Sequence, residues 1–288
     1  MGFIYISLVV LGITTVAYLA KLSAENNVSS FDFTFVLFAA ANILGYFFAK
    51  LNNVDTADYT AQLMFVSVIA GIGGATAVFI FNHAVRIGHF GYSNAIYRSS
   101  FLMPVIVSVI VFGSTMNITT VAGILSILIS IFLISWSNDA FAKVPGNGNI
   151  RWFLMIICAF VLSGLPRIGQ LLISHNRLNS AAYLFVSYAA GFILLLIFLL
   201  FRRKRMKTRS LFYGSIAAFA SFVGVYCTIE ALKLLSAAVV FSVTLSTPII
   251  LGMLISFIYR ERIRPAGWVG LSLGVCGILI LSLQAYMK

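Results

Sequence analysis

Charged residues are scarce in this sequence, and acidic residues are especially scarce. Only 9% of the 288 residues are charged, and just seven are aspartate or glutamate, whereas soluble domains carry about 25% charged residues. A soluble globular class is therefore excluded. The mean hydropathy is +1.05, and many apolar runs of roughly 20 residues are too continuous for transmembrane β-strands. The composition predicts an all-α integral membrane protein.

Sequence motifs for several kinds of chemistry are also missing. No G-x-x-x-x-G-K-[S/T] loop occurs, which excludes ATP hydrolysis by this chain as its source of energy. Cys158, Cys227 and Cys276 fall singly in separate apolar runs, so we expect small buried residues rather than metal or redox chemistry. We therefore predict no cofactor, no metal site and no enzymatic activity.

Basic residues outnumber acidic ones, and they cluster. The net charge is +12, and six of the nineteen basic residues lie in RRKRMKTR at 202–209. Such a patch at a helix end indicates membrane topology and contact with anionic headgroups rather than a nucleic-acid surface. The lysines and arginines of the short loops predict that this patch lies inside and that both termini lie outside. We expect a multi-pass protein of the plasma (inner) membrane.

Ten apolar segments have the length of membrane-spanning helices. The longest connection, SNDAFAKVPGNGNI at 137–150, is rich in glycine, proline and asparagine and divides the helices five and five. We expect a first five-helix repeat at 1–136, a linker at 137–150 and a second five-helix repeat at 151–288. The predicted helices are about 2–22, 31–50, 62–86, 91–113, 118–136, 151–174, 179–201, 210–233, 236–258 and 264–284.

The two halves are similar to each other in sequence. FVLFAAANIL at 35–44 has six identities in ten with FVSYAAGFIL at 185–194, and Pro104 matches Pro248 further on. Because each half has an odd number of helices, the second half is predicted to lie upside down relative to the first. Inverted repeats are typical of secondary transporters, whose site lies near the midplane where the repeats meet. Helices 5 and 10 are rich in small residues and are expected to pack on each other.

Two longer stretches carry a resemblance to a known family. They are AVRIGHFGYSNAIYRSSFLMPVIVSVIVFG at 84–113 and ALKLLSAAVVFSVTLSTPIILGMLISFIYRERIRPAGWVGLSLGVCGILIL at 231–281. With ten helices in two halves, the chain resembles the drug/metabolite transporter superfamily, EamA-like branch, over essentially its full length. The resemblance implies alternating access around a central cavity walled mainly by helices 1, 3, 4, 6, 8 and 9, with helices 5 and 10 at the periphery.

The chain departs from the family pattern at named positions. The acidic residue common after helices 4 and 9 is matched by Glu261 in the second half, but Asn117 stands in the first. No carboxylate precedes Glu25, so the embedded glutamate that small multidrug relatives use for proton coupling is absent, which disfavours proton-coupled export of cationic drugs. The family is usually drawn with cytoplasmic termini, which opposes the orientation predicted from the loops.

Arginines within the predicted helices are the clearest candidate functional residues. A charge at a helix centre costs about 2.5–3.5 kcal/mol by insertion scales, so it is kept where it meets water, a partner or a substrate. Arg98 lies about eight residues, or ~12 Å, into helix 4, with Asn94 one turn earlier. A structural ion pair or a snorkelling side chain is the alternative reading. In helix 6, polar residues at three- and four-residue spacing form a single stripe on one helix face, as expected beside a water-filled cavity. They are Ser163, Arg167, Gln170 and Ser174.

Other polar residues are weaker candidates. Glu230 lies near the end of helix 8, a turn after Tyr226, and could form either a gate or a permanent salt bridge with Arg167. His83 takes the equivalent place in the first repeat, with Asn82 beside it; a satisfied interior histidine and a proton sensor are both open readings. Two further candidates for the cavity wall are Tyr18 and Thr247.

These observations predict a secondary transporter of a small polar metabolite. Arg98 and Arg167 outnumber Glu230 as intramembrane charges, so we expect an anionic or zwitterionic substrate, such as an amino acid or organic acid, held by Arg98 through parallel hydrogen bonds. The expected partners are that substrate, a coupling proton or ion and the lipid bilayer, with no nucleic acid and a monomeric chain. A membrane-embedded enzyme, a non-transporting receptor or assembly factor, and an exporter of cationic drugs are the alternatives.

Overall fold

The computed structural model describes residues 1–87, 93, 96–114, 116–139, 148–201, 206–244, 246 and 265–286. Within these ranges the chain is helical apart from short connections, and no strand occurs among them. The helices are α1 Gly2–Glu25, α2 Ser30–Leu51, α3 Ala61–Ile87, α4 Leu102–Phe112, α5 Ile118–Asp139, α6 Gly148–His175, α7 Ser180–Leu200, α8 Thr208–Leu234, α9 at 237–244 and α10 Pro265–Tyr286.

The expected all-α membrane class is confirmed. Six helices in the described ranges are long and apolar enough to cross a bilayer, namely α1, α2, α3, α6, α7 and α8. Three shorter apolar stretches, Ile96–Phe112, Ile118–Ile134 and Pro265–Leu281, accompany them. The chain is therefore a multi-pass membrane protein, while the count of ten spanning helices stays a prediction.

The fourth helix differs from the predicted continuous run at 91–113. A 3₁₀ turn at Ser99–Phe101 precedes α4, so Pro104 lies in the first turn of that helix rather than in its middle. A proline is tolerated in a first turn because the missing N–H would have no helical partner there. Pro104 thus follows a local change from α-helix to 3₁₀ turn, in which Arg98, Phe101 and Leu102 keep right-handed helical dihedral angles.

The described residues form two compact units, and each unit draws on both halves of the sequence. Unit 1 comprises Met1–Phe79 and Leu162–Leu234, and unit 2 comprises Ile80–Val161 and Leu235–Lys288. The division at 137–150 that was drawn from the sequence repeat concerns duplication rather than compactness, and it stays a prediction.

In unit 1, α1 packs on α8, and α2 packs on both α7 and α8. Gly12 brings α1 very close to α8, because a Cβ at this position would lie 2.6 Å from the carbonyl oxygen of Ala220. An aromatic cluster joins α2, α7 and α8. Between ring centroids, Tyr188 of α7 is 5.7 Å from Phe38 of α2 and 6.2 Å from Phe222 of α8. Close glycine contacts and interlocked rings give this unit its core.

In unit 2, α5 packs along α10 as the small residues of both helices predicted. A Cβ at Gly277 would lie 2.9 Å from the carbonyl oxygen of Gly123, and one at Gly270 would lie 2.9 Å from the side chain of Ile134. Dispersion contacts at this separation replace the hydrophobic drive that is absent between helices in lipid. The expected packing of helices 5 and 10 on each other is confirmed.

Three corners of unit 1, at Asn27, Asn53 and Arg177, share one backbone geometry, and the first and third stand at equivalent places in the two halves of the sequence. Asn27 between α1 and α2 has φ 56°, and Arg177 between α6 and α7, 150 positions later, has φ 51°. The N–H of Val28 donates to the Ser23 carbonyl at 2.9 Å, and the N–H of Leu178 donates to the Ile173 carbonyl at 3.0 Å. Both are helix ends closed by a left-handed residue and a six-residue hydrogen-bonded turn. We call them the Asn27 corner and the Arg177 corner.

Candidate functional site

The polar stripe of α6 lies largely inside unit 1 rather than on an exposed surface. Ser163 is 2% exposed, Gln170 8% and Ser174 5%, while Arg167 is half-buried. A guanidinium nitrogen of Arg167 donates to the carbonyl of Ser163 one turn earlier, in keeping with the tilt of helical side chains toward the N-terminus. The stripe predicted from spacing therefore exists, but three of its four members are enclosed by packing.

Pro166 marks a special point in this helix. A proline has no N–H, so the carbonyl of Leu162 loses its usual helical donor. The Tyr183 hydroxyl of α7 donates to a different carbonyl of this segment, that of Pro166, at 3.1 Å. That carbonyl belongs to the peptide unit that joins Pro166 to Arg167, so α7 holds the peptide plane that leads into the arginine.

A third helix, α3, packs against the same segment of α6. A Cβ at Gly169 would lie 2.9 Å from the Tyr183 hydroxyl and 3.2 Å from the Ala70 side chain of α3. One turn away, a Cβ at Gly73 would lie 3.2 Å from the carbonyl oxygen of Leu162 and 2.9 Å from the Leu165 side chain. Helices α3, α6 and α7 thus meet around residues 162–170, which we call the Pro166 junction.

Glu230 has a partner that differs from the one weighed in the sequence. The Lys233 ammonium lies 2.6 Å from Glu230 Oε1, and the Ser180 hydroxyl donates to the same oxygen at 3.0 Å. Lys233 also donates to the Ser180 hydroxyl at 3.2 Å. This closed group ties the end of α8 to the first residue of α7, where a carboxylate is further stabilised by the helix dipole. These contacts favour a structural role for Glu230, joining α8 to α7, over a gate with Arg167.

Tyr226 and Tyr18 have different surroundings. Tyr226 is partly buried, and its ring centroid lies 5.2 Å from that of Phe48 of α2. Tyr18 is 61% exposed on a face of α1 that it shares with Ile4, 61% exposed, and Leu11, 62% exposed. An apolar stripe of this kind is typical of a lipid-facing helix surface. Tyr226 therefore contributes to an aromatic core, and the position of Tyr18 favours lipid contact over a polar wall.

Arg98 belongs to unit 2. It is half-buried, helical, and immediately precedes the 3₁₀ turn at Ser99–Phe101. Its neighbour Tyr97 packs against Phe81 with ring centroids 4.4 Å apart, and nearby in this unit the Trp152 indole donates to the Ser93 hydroxyl at 2.8 Å. Arg98 thus lies where an α-helix changes to a tighter turn, and its neighbour in sequence, Tyr97, belongs to an aromatic cluster.

Several predicted site residues cannot be placed beside these. Asn94 and Thr247 lie outside the described residues, as does the side chain of Asn82. His83 is described and is exposed on α3, which does not match the interior position that was one reading of it. Arg98 and Arg167 belong to different units, so each is a separate local candidate.

Four residues of these local arrangements were missed from the sequence. Asp32, in the first turn of α2, is a second carboxylate within a span and is 2% exposed. Lys233 follows Glu230 by three positions, a spacing that predicts an ion pair on a helix. An acidic residue in a first turn is an ordinary dipole preference, so Asp32 drew no attention. The contacts of Ser180 and Tyr183 join helices far apart in sequence, and no local pattern reveals them.

Metal and cysteine chemistry find no support in the part of the chain that is described. Within it, no group of three or more His, Cys, Asp or Glu side chains could hold a metal ion. Cys227 is buried as expected, but Cys158 and Cys276 are exposed. Exposure on apolar helices is compatible with lipid contact, so the expectation of three buried cysteines was wrong for two of them.

Known proteins resemble this chain in sequence and in fold. The sequence model of the EamA-like transporter family matches residues 150–283. A solved crystal structure aligns with 99% of this chain and 96% of its own, with a TM-score of 0.76 and 16% sequence identity, which shows a shared fold. No curated protein sequence matches. The resemblance drawn from the sequence is therefore confirmed for residues 150–283, which match the EamA-like transporter family.

Proposed function

We propose that the protein is a secondary transporter of the plasma membrane that moves a small polar metabolite by alternating access. It would have ten spanning helices in two inverted five-helix repeats around a central cavity. The substrate would carry an anionic group, as an amino acid or organic acid does. A coupling proton or ion would supply the energy, and the chain would act as a monomer.

The inverted repeat is supported above all by the positions of the two corners along α8. At the start of α8, Lys207 donates to the Asn27 carbonyl at 2.7 Å and Arg209 donates to the Asn26 side chain at 3.1 Å. At its end, Glu230 binds Ser180 beside the Arg177 corner. Arg209 and Glu230 are 21 positions apart in sequence, which is ~32 Å along a helix. Because this matches a hydrocarbon core of about 30 Å, the equivalent corners would lie on opposite faces of the membrane.

Helix pairing in each unit supports the same arrangement. If the halves are related by inversion, α1 on α8 should be mirrored by α6 on α3, and both contacts occur, at Gly12 and at Gly73. The pairs α2 with α7 and α5 with α10 each join equivalent helices. Such an exchange is what a twofold axis between repeats produces, and it is the ordinary build of secondary transporters.

The proposal for the substrate depends on residue type and depth. A guanidinium can hold a carboxylate or phosphate through two parallel hydrogen bonds, which an ammonium cannot reproduce. Arg98 and Arg167 are such groups within apolar helices. Arg98 would bind the anionic group with Asn94 assisting, and Arg167 with Gln170 is the second candidate.

Transport into proteoliposomes tests this function directly. The purified protein would be assayed with amino acids, organic acids and cationic drugs as separate panels. Arg98→Ala should nearly abolish uptake of the anionic or zwitterionic substrate, Arg98→Lys should raise its KM substantially, and Arg151→Ala, an exposed arginine of α6, should change neither. Unchanged affinity in Arg98→Ala would overturn the role of Arg98. Uptake of cationic drugs alone would favour an exporter of the multidrug kind, and chemical conversion of a substrate would favour an enzyme.

A further inference from the structure

We propose that Tyr183 is a positioning residue for the polar stripe of α6 and sets the affinity for substrate through Arg167 and Gln170. The proposal rests on the proposed transport function, in which these two residues form the second candidate binding group. It also makes a prediction about structure that holds whatever the substrate is.

Helix α6 has one backbone hydrogen bond fewer at Pro166. Because proline has no N–H, the carbonyl of Leu162 lacks its usual helical donor. A helix loosened in this way can rotate or bend locally. Arg167 comes directly after the proline and Gln170 follows about one turn later. The directions of these two side chains therefore depend on the contacts that hold this segment of α6.

The hydroxyl of Tyr183 is one of the contacts that hold this segment, together with the packing of α3 at Gly73. Tyr183 is only 1% exposed, and its hydroxyl donates to the Pro166 carbonyl at 3.1 Å. This oxygen is part of the peptide plane preceding Arg167, so the bond restrains the backbone dihedral angle that sets the direction of the arginine. The ring of Tyr183 is held by its own burial, which makes it a rigid reference for α6.

Gly169 is the second part of the same device. A Cβ at this position would be 2.9 Å from the Tyr183 hydroxyl oxygen, but 3.4 Å from the nearest ring carbon of Tyr183. The missing side chain therefore makes room for the hydroxyl of Tyr183 more than for its ring, and also for the Ala70 side chain of α3 at 3.2 Å. Gly169 immediately precedes Gln170, so the close approach of α7 and α3 restrains the backbone next to a stripe residue.

Tyr188 offers a matched control on the same helix. It is 6% exposed, and its hydroxyl is 2.9 Å from that of Ser221 of α8. Removing either hydroxyl deletes one buried hydrogen bond of α7, yet only the Tyr183 hydroxyl bonds to α6. A purely structural role predicts equal effects of the two phenylalanine variants, and a positioning role predicts a difference.

The first experiment measures transport kinetics in proteoliposomes. Tyr183→Phe should raise KM about three- to tenfold, the range expected for one lost hydrogen bond, with Vmax unchanged, while Tyr188→Phe should leave KM within about twofold. Gly169→Ala should raise KM in the wild-type background and raise it less in Tyr183→Phe, which lacks the oxygen 2.9 Å from the added Cβ but keeps the Ala70 contact at 3.2 Å. Equal KM changes in the two phenylalanine variants, or fully additive effects of Gly169→Ala and Tyr183→Phe, would overturn the proposal.

The second experiment needs no substrate. In a background without Cys158, Cys227 and Cys276, the labelling rate of Gln170→Cys by a small water-soluble thiol reagent reports the position of the stripe. Tyr183→Phe should change that rate by about threefold or more, and Tyr188→Phe should not. An unchanged rate in Tyr183→Phe contradicts the positioning role. A changed rate in a protein that transports no anionic metabolite would leave the positioning role standing and reject the proposed function alone.

Discussion

The Asn27 corner and the Arg177 corner have the same backbone but different side-chain support. At the Asn27 corner, the exposed basic residues Lys207 and Arg209 bind a carbonyl and an amide. At the Arg177 corner, the partly buried Glu230 and the exposed Lys233 bind the first residue of α7. The comparison shows that two helix ends with the same turn can have different side-chain chemistry. Charge removal and salt should therefore affect the two ends of α8 differently.

The largest expected effect comes from Glu230→Ala. The substitution leaves the Lys233 ammonium and the Ser180 hydroxyl without their shared acceptor, and we expect a loss of about 1–3 kcal/mol in the free energy of unfolding. Thermal unfolding of the purified protein in detergent measures it, with Glu230→Gln as the control that keeps an acceptor oxygen. A loss no greater than that of Lys207→Ala would erase the contrast between the corners.

The helix caps that follow the corners should differ next. The Asn179 side chain accepts hydrogen bonds from two backbone N–H groups, of Ala181 and Ala182, whereas Ser29 accepts from one, of Asp32. Asn179→Ala should therefore cost about 1–2 kcal/mol and Ser29→Ala about 0.5–1 kcal/mol. Thermal unfolding of both variants in one detergent makes the comparison, and a larger cost at Ser29 would contradict it.

The left-handed residues themselves give a smaller effect of opposite sign. An arginine at φ 51° is strained by its Cβ, and glycine is the preferred residue at this place. Arg177→Gly should stabilise the protein by up to about 1 kcal/mol. Asn27→Gly should gain less, because asparagine tolerates the left-handed region. Destabilisation by Arg177→Gly would mean that its side chain has a contact role.

The smallest effect is expected at the Asn27 corner. Lys207 is exposed, and exposed charge contacts contribute about 0–1 kcal/mol. Lys207→Ala should lower the unfolding temperature only slightly, and the difference should vanish near 1 M salt, where the screening length is about 3 Å. A difference that survives high salt would show that the contact is a neutral hydrogen bond or is shielded from water.

Much of the fold followed from apolar run length and from the internal similarity of 35–44 with 185–194. The spacing of 150 positions between these segments is the same as that of the two corners, which agrees with the repeat predicted from the sequence. The turns were not predicted, because neither Asn27 nor Arg177 is the glycine that usually marks a left-handed helix end. The 3₁₀ turn before Pro104 was missed because an apolar run gives no sign of a change from α-helix to 3₁₀ turn.

The site was less predictable than the fold. The stripe of α6 was found from its spacing, and the pair of Glu230 with Lys233 was readable from its three-residue interval. The contact of Tyr183 with Pro166 was not, because a buried tyrosine in an apolar run looks like any core residue. Contacts between helices depend on which faces meet, and the sequence of one helix does not contain that information.

The central claim is that the two corners lie on opposite faces of the membrane, and cysteine accessibility tests it most directly. Single cysteines at Asn27 and Arg177, in a background without the three native cysteines, would be exposed to an impermeant thiol reagent added to intact cells. The account predicts labelling at Arg177→Cys only, with labelling at Asn27→Cys appearing after the membrane is permeabilised. Labelling of Asn27→Cys alone would keep the inversion but reverse the orientation. Labelling of both cysteines from outside would contradict the inverted repeat.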